Sequence, residues 1–314
     1  LRKNKIIYRG GLNIIDSFIK YIDTNQLGTV EKNKTFKELT TLKIGGLIKC
    51  LYIPNTLDDL IKAYKYIIKN DLNFFIIGNG SNVLASDEEY NGIVIKLNKL
   101  NKITQIAKES FLVDAGANGT KVSLELAKLG YTNMEFLATI PGTIGGLVFM
   151  NAGAYGQEIK DIVQEVTFLD ELGNLITKNI SELNMQYRSS IFKEKKTIIT
   201  QVMLKLNKLS NNLLPLEKIK TYKQLRKNTQ PINNYTAGST FENPKGMKAW
   251  ELIENMGFKG YQINGAMVSY KHANFLINYH NARYIDMIKL IKEIQEKAKN
   301  DYDISLVCEW VIVK

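Results

Sequence analysis

Residues 140–156 read Ile-Pro-Gly-Thr-Ile-Gly-Gly-Leu-Val-Phe-Met-Asn-Ala-Gly-Ala-Tyr-Gly, and residues 78–82 read Gly-Asn-Gly-Ser-Asn. Glycine lets the backbone turn tightly and lets a ligand come close, while each glycine inside a helix or strand costs conformational entropy. A loop of consecutive small residues also presents N–H groups that cradle a diphosphate without needing lysine. The spacing is not G-x-G-x-x-G, because Val83 holds the place of the third glycine. Asn91-Gly92 reads as a turn before a strand at 93–97, where a Rossmann unit requires a crossover helix. The alternative for 140–156 is a sharply bent core segment.

Other chemistries find little material. Cys50 and Cys308 are the only cysteines and form no C-x-x-C, so a disulfide framework or zinc site is not expected. His272 and His280 are not at metal-ligand spacing, and no metal site is expected. The net charge of +11 suits an anionic partner, yet lysines such as 193–196 and 292–299 are spread as solvated faces without forming a nucleic-acid tail. Arg9, Asn13 and Asp16 interrupt the N-terminal apolar stretch, so no secretory signal forms, and no run of about 18 apolar residues spans a membrane. A cytoplasmic protein is expected.

The elements that must position these loops follow in chain order. Residues 1–32, with Ile14, Phe18 and Ile22 at helical spacing, read as an N-terminal extension. A strand at 47–53 ends at Pro54, a helix covers 58–68, and a strand at 73–77 runs into the first glycine loop. A strand at 111–113 precedes a helix at 122–129. Strands at 163–169 and 175–177 flank a hairpin turn, and another strand covers 198–206. Residues 209–212 with Pro215 read as a linker, followed by a basic helix (216–227), a helix at 248–256, and short extended segments at 263–266 and 273–277. An amphipathic helix spans 284–298, and the chain ends in a strand, 306–313.

Taken together, the ordered stretches 40–46, 78–82, 140–156, Tyr187-Arg188-Ser189-Ser190-Ile191-Phe192, 237–244, Lys271-His272-Ala273-Asn274-Phe275 and Glu309 resemble the UDP-N-acetylenolpyruvoylglucosamine reductases of peptidoglycan synthesis. The resemblance implies an α+β fold with a two-part FAD-binding body of the vanillyl-alcohol-oxidase type and a smaller C-terminal α+β substrate domain. It divides the chain into an extension (1–32), the FAD-binding body (33–208, subdomains about 33–97 and 98–208), a substrate-binding domain (215–302) and a C-terminal strand (303–314) carrying Glu309. The implied cofactors are bound FAD and the co-substrate NADPH, and the implied partner is a UDP-sugar. Oligomeric state is not indicated.

By the same resemblance Ser239 is the proton donor, and Arg188 and Glu309 hold and polarise the enolpyruvyl carboxylate. Gly78, Asn79, Gly80, Ser81, Asn82, Gly142, Ile144, Gly145 and Gly146 are the expected contacts to the FAD pyrophosphate; Tyr187, Asn243, Arg226, Lys227 and His272 are expected at the UDP-sugar. The residues themselves leave rivals open. A planar guanidinium suits a carboxylate, but a surface arginine looks the same; Ser239 after Gly238 also reads as a helix cap; and a lone glutamate in an apolar strand is either solvent-facing or buried for a purpose. Thr236 and Glu242 replace the serine and lysine of the family's Ser-Ala-Gly-Ser-x-Phe-Lys-Asn-Pro pattern, placing a reversed charge near the site. The chain has no insertion after Tyr187 for the tyrosine-bearing loop of one subclass, so it resembles the shorter one. Two further readings are a sugar or alcohol oxidase of the same fold, which needs a His or Cys base or flavin anchor, and a basic nucleic-acid-binding protein.

Overall fold

The computed structural model describes residues 14–314; the expected extension therefore lies partly outside the described residues. Its remainder is built into the body. Helix Ile14–Asn25 buries Phe18 and Ile22 and sets Phe18 edge-on to Tyr52, while strand Thr29–Glu31 pairs with Leu47–Ile53.

The first sheet runs in the order Thr29–Glu31, Leu47–Ile53, Tyr90–Lys96, Phe74–Ile77. The last three strands are parallel. Helix Leu57–Lys69 starts at a capping box in which the Thr56 hydroxyl accepts from the Asp59 N–H and the Asp59 carboxylate accepts from the Thr56 N–H. It buries Leu60, Ala63, Tyr64 and Ile67, the face that the apolar spacing predicts. Asn91-Gly92 is not a turn but lies inside Tyr90–Lys96. A Cβ on Gly92 would stand 2.9 Å from the Asn73 carbonyl, so close strand packing is what calls for glycine there.

The second sheet is antiparallel throughout, in the order Leu175–Asn179, Val163–Leu169, Ile198–Lys205, Ser110–Asp114, Ile103–Ala107. Its inner face shares one apolar core with the first sheet, through residues such as Ile95, Val113, Val166 and Val202. The stretch 140–156 contains a short helix, Ile144–Phe149, which the glycine content had argued against. Gly145 is what lets this helix lie against Ala115, whose Cβ would be 2.9 Å from a Cβ at that position.

The third sheet, Tyr235–Thr236, Leu276–Asn278, Ala266–Val268, Gln262–Ile263, packs with helices Ala249–Asn255 and Tyr284–Tyr302 around a second core. Residues 263–266, read as extended, include the hairpin turn, where Asn264 has φ of 49°. The basic helix begins earlier than expected, as Leu213–Thr229, because Pro215 is tolerated in a first helical turn. It packs on the first body, with Ile219 against Ala127 and Ala138, although the sequence placed it at the start of the substrate-binding unit. The C-terminal strand is shorter than expected. Only Val311–Val313 is strand, paired in parallel with Val83–Ala85 of the first body, and Glu309 precedes it in irregular chain.

Candidate active site

The loop after Phe74–Ile77 is held open by its surroundings. Gly80 has φ of 62°, and a Cβ there would stand 2.3 Å from the Leu39 carbonyl. A Cβ on Gly78 would meet the Thr143 hydroxyl at 2.5 Å, and the Ser81 hydroxyl donates to the Pro141 carbonyl, so the two glycine loops are locked together. The N–H groups of Gly78, Asn79, Gly80, Ser81 and Asn82 have no acceptor among the described residues. Consecutive unpaired amides opening on a cavity form an anion cradle.

The second loop behaves differently. The N–H groups of Ile144 and Gly145 donate to Ala117 and Ala115 carbonyls at 2.9 and 2.8 Å, and that of Gly146 to the Thr143 hydroxyl at 3.3 Å. These amides are spent inside the fold. Ile144 is fully buried and away from the cavity, which removes it from the expected contacts, whereas Gly142, Gly145 and Gly146 still line the wall.

That cavity, of about 1350 Å³, also takes in Arg188, Arg226, Lys227, Ser239 and Glu309. It exceeds the usual range of up to about 1,000 Å³ for one ligand. Arg188 stands in a tight turn closed by paired bonds between Gln186 and Ser189, in a left-handed conformation with φ of 54°. The turn hangs from the helix below it, since Asn151 Nδ2 donates to the Gln186 carbonyl at 2.8 Å and Ser190 Oγ to that of Phe149 at 2.7 Å. Arg188 Nη2 donates to the Gly153 carbonyl at 3.2 Å. Its Nε lies 3.2 Å from Glu309 Oε1, an ion pair by distance in which the N–H is not aimed at the oxygen.

Glu309 comes from the far end of the chain. Asn82 Nδ2 donates to its carbonyl at 3.0 Å, and the Val311 N–H donates to the Asn82 carbonyl at 2.9 Å. Burial pushes its carboxyl above the usual glutamate value; Arg188 and Lys193 oppose this and Glu242 adds to it. The reversed charge at 242 thus acts on the site through space. Ser239 follows Gly238, whose φ is 80°, and its hydroxyl has no partner among the described residues. Segment 240–242 runs beside 307–309, with the Glu309 N–H donating to the Thr240 carbonyl at 2.8 Å.

Arg226 lies in the cavity wall, donates to the Thr139 carbonyl, and has no carboxylate partner among the described residues. Burial pulls its pKa down, as expected for a desolvated, unneutralised cation. Tyr187, Asn243 and His272 do not line the cavity. Tyr187 lies under the Arg188 guanidinium, its hydroxyl accepting from the Asn243 N–H at 3.4 Å. Asn243 Oδ1 accepts from the Ala249 N–H at 3.0 Å at a helix start. His272 packs between Trp250 and Phe275, its Nδ1 taken by the Asn274 N–H, and burial lowers its pKa, making it a poor phosphate cation. Thr143, Asn151, Gly153 and Asn274 lie in the quoted stretches 140–156 and 271–275, but nothing in the sequence gave any of them a role of its own.

No group of three His, Cys, Asp or Glu suited to a metal lies among the described residues, and none of their helices is long and apolar enough to cross a membrane.

Residues 48–179 match the FAD binding domain family. An amide cradle within that match, opening on a cavity that also takes in Arg188, Ser239 and Glu309 from later in the chain, defines a FAD-dependent oxidoreductase. Residues 230–313 match the UDP-N-acetylenolpyruvoylglucosamine reductase C-terminal domain. The chain is 38% identical to the UDP-N-acetylenolpyruvoylglucosamine reductase of Caldanaerobacter subterraneus subsp. tengcongensis over 286 residues, which is 91% of this chain and 94% of that one. With the Bacillus subtilis reductase it shares 33% identity over 300 residues, 95% of this chain and 99% of the relative. The crystal structure of the Thermus caldophilus UDP-N-acetylenolpyruvylglucosamine reductase superposes with a TM-score of 0.79 at 31% identity, covering 91% of this chain and 99% of that one. The chain belongs to the UDP-N-acetylenolpyruvoylglucosamine reductase family.

Proposed function

We propose that this chain reduces the enolpyruvyl group of UDP-N-acetylglucosamine enolpyruvate to give UDP-N-acetylmuramate, with Ser239 as proton donor and with Arg188 and Glu309 on the carboxylate. The observation that carries the residue assignment is the convergence of Ser239, Arg188 and Glu309 on the cavity into which the unpaired amides of 78–82 open. FAD bound at the cradle would act as the hydride carrier, with NADPH as the source of the hydride. The cradle fits its pyrophosphate, because glycine is required at 78 and 80 by the atoms around them and the free N–H groups match a dianion.

Arg188 is held ready for a carboxylate by its turn and by the Gly153 carbonyl. As hydride reaches the methylene carbon, negative charge builds on the adjoining carbon and carboxylate, and a fixed guanidinium stabilises it without rearranging. The Ser239 hydroxyl, free of internal bonds, then delivers its proton to the adjoining carbon. Glu309 keeps Arg188 in place and sets its charge balance. Arg226 has unneutralised charge for a phosphate, and Lys227 lines the same wall. Tyr187 and Asn243 lie outside that lining, and the Asn243 amide oxygen is taken by the Ala249 N–H. A UDP-sugar and NADPH are metabolites of the cytoplasm, so this reading carries a cytoplasmic location with it.

An oxidase with a histidine or cysteine anchor finds no such residue in the wall, since Cys50, Cys308, His272 and His280 do not line the cavity. Replacing Ser239 by alanine tests the assignment. The variant is expected to bind FAD and to be reduced by NADPH at the normal rate while turnover falls by about 10²- to 10⁴-fold, the scale for losing a general acid. Normal turnover would remove Ser239 from the mechanism.

A further inference from the structure

We infer that Asn274 is the positioning residue that holds Ser239 in register with Glu309. The inference rests on the reading above that these two side chains act on the enolpyruvyl substrate. Asn274 is 4% exposed, and its side chain does what a neighbouring strand would do. Its Oδ1 accepts from the Phe241 N–H at 2.9 Å, while its Nδ2 donates to the Phe241 carbonyl at 2.8 Å. Its own carbonyl accepts from the Thr240 N–H at 2.8 Å. The residues directly after Ser239 are therefore gripped along one edge by Asn274.

The opposite edge of the same segment carries Glu309. Thr240 and Glu242 bond to 307–309 through Glu309 N–H to Thr240 carbonyl at 2.8 Å and Glu242 N–H to Val307 carbonyl at 2.9 Å. Phe241 and Cys308 form the bridge between these bonds. Segment 240–242 is thus the centre of a three-part ladder in which Asn274 replaces the outer strand. Loss of its amide leaves a buried N–H and a buried carbonyl of Phe241 unpaired, and such groups move to find partners. A shift of about 1 Å at a reacting group is enough to cost about 10²-fold in rate. Only an amide side chain offers donor and acceptor together; aspartate would keep the bond from the Phe241 N–H and lose the other.

The two half-reactions separate this role from general support of the fold. Hydride transfer from NADPH to FAD takes no proton from Ser239, whereas reoxidation by the enolpyruvyl substrate does. In stopped flow, FAD-loaded Asn274→Ala is expected to be reduced by NADPH at the wild-type rate and reoxidised by the substrate about 10- to 100-fold more slowly, with KM for that substrate changed far less than kcat. Asn274→Asp is the second variant, expected to show the same split. Unchanged reoxidation would overturn the proposal, as would equal slowing of both halves or failure of both variants to retain FAD, since each assigns Asn274 to the fold alone. If wild-type protein itself fails to be reoxidised by the substrate, the proposed function falls instead.

Discussion

Glu309 is the residue at which burial and function pull in opposite directions. Desolvation raises its pKa, the Arg188 charge only partly offsets this, and the net shift is upward. The ionised form is the one that balances Arg188, so kcat/KM should fall as pH drops through the raised value, giving an acid limb above the ordinary glutamate pKa of about 4.3. Glu309→Gln cannot titrate, and its pH profile should lose that limb along with most of its activity. Stability follows with the opposite sign. A fold that raises a carboxyl pKa binds the proton more tightly than the unfolded chain, so this contribution is fully present below the unfolded value and is lost as pH rises through the folded one. Denaturant unfolding at pH 5 and pH 8 checks it: wild type should gain on Glu309→Gln at the lower pH, and a gain at the higher pH instead would mean that the carboxyl is not raised.

Among elements, the glycine loops separate two kinds of requirement. Gly80→Ala brings both left-handed strain, about 1–2 kcal/mol, and a Cβ at 2.3 Å from a carbonyl oxygen. Gly156→Ala, with φ of 78° and nothing within 4 Å, brings the strain alone. FAD retention on a desalting column should therefore be lost in the first variant and kept in the second; equal retention would show that the 78–82 cradle does not hold the flavin. This cradle was readable from sequence because small residues after an apolar strand have few other uses. Helix Leu57–Lys69 was readable from its period. Less visible were features set by distant partners. Asn91-Gly92 has the composition of a turn and instead falls at a register shift inside Tyr90–Lys96, between the Ile48–Tyr90 and Cys50–Ile93 pairs. Residues 306–310 form an apolar run broken only by Glu309 and read as strand, yet 307–309 bridges to segment 240–242, and the chain joins Val83–Ala85 only from Val311. His272 sits in a motif with polar neighbours, and only the packing of Trp250 and Phe275 takes it away from the cavity.

At the scale of the whole molecule, the site exists because the C-terminal end returns to the first body. Strand Val311–Val313 pairs with Val83–Ala85, Thr41 Oγ1 donates to the Thr236 carbonyl at 2.7 Å, and the Tyr284 N–H donates to Asp87 Oδ2 at 2.8 Å. Deleting residues 311–314 should therefore lower the unfolding temperature and abolish substrate-dependent flavin reoxidation together, because the strand that fixes Glu309 beside the cradle is gone. A truncated chain that unfolds lower but turns over normally would show that Glu309 finds its place without that strand. An anaerobic absorbance titration of the FAD-loaded protein tests directly whether both half-reactions take place on it. NADPH should bleach the flavin bands, and UDP-N-acetylglucosamine enolpyruvate should then restore them with formation of UDP-N-acetylmuramate. Protein that cannot be loaded with FAD, or reduced flavin that stays bleached in the presence of that substrate, would contradict the account.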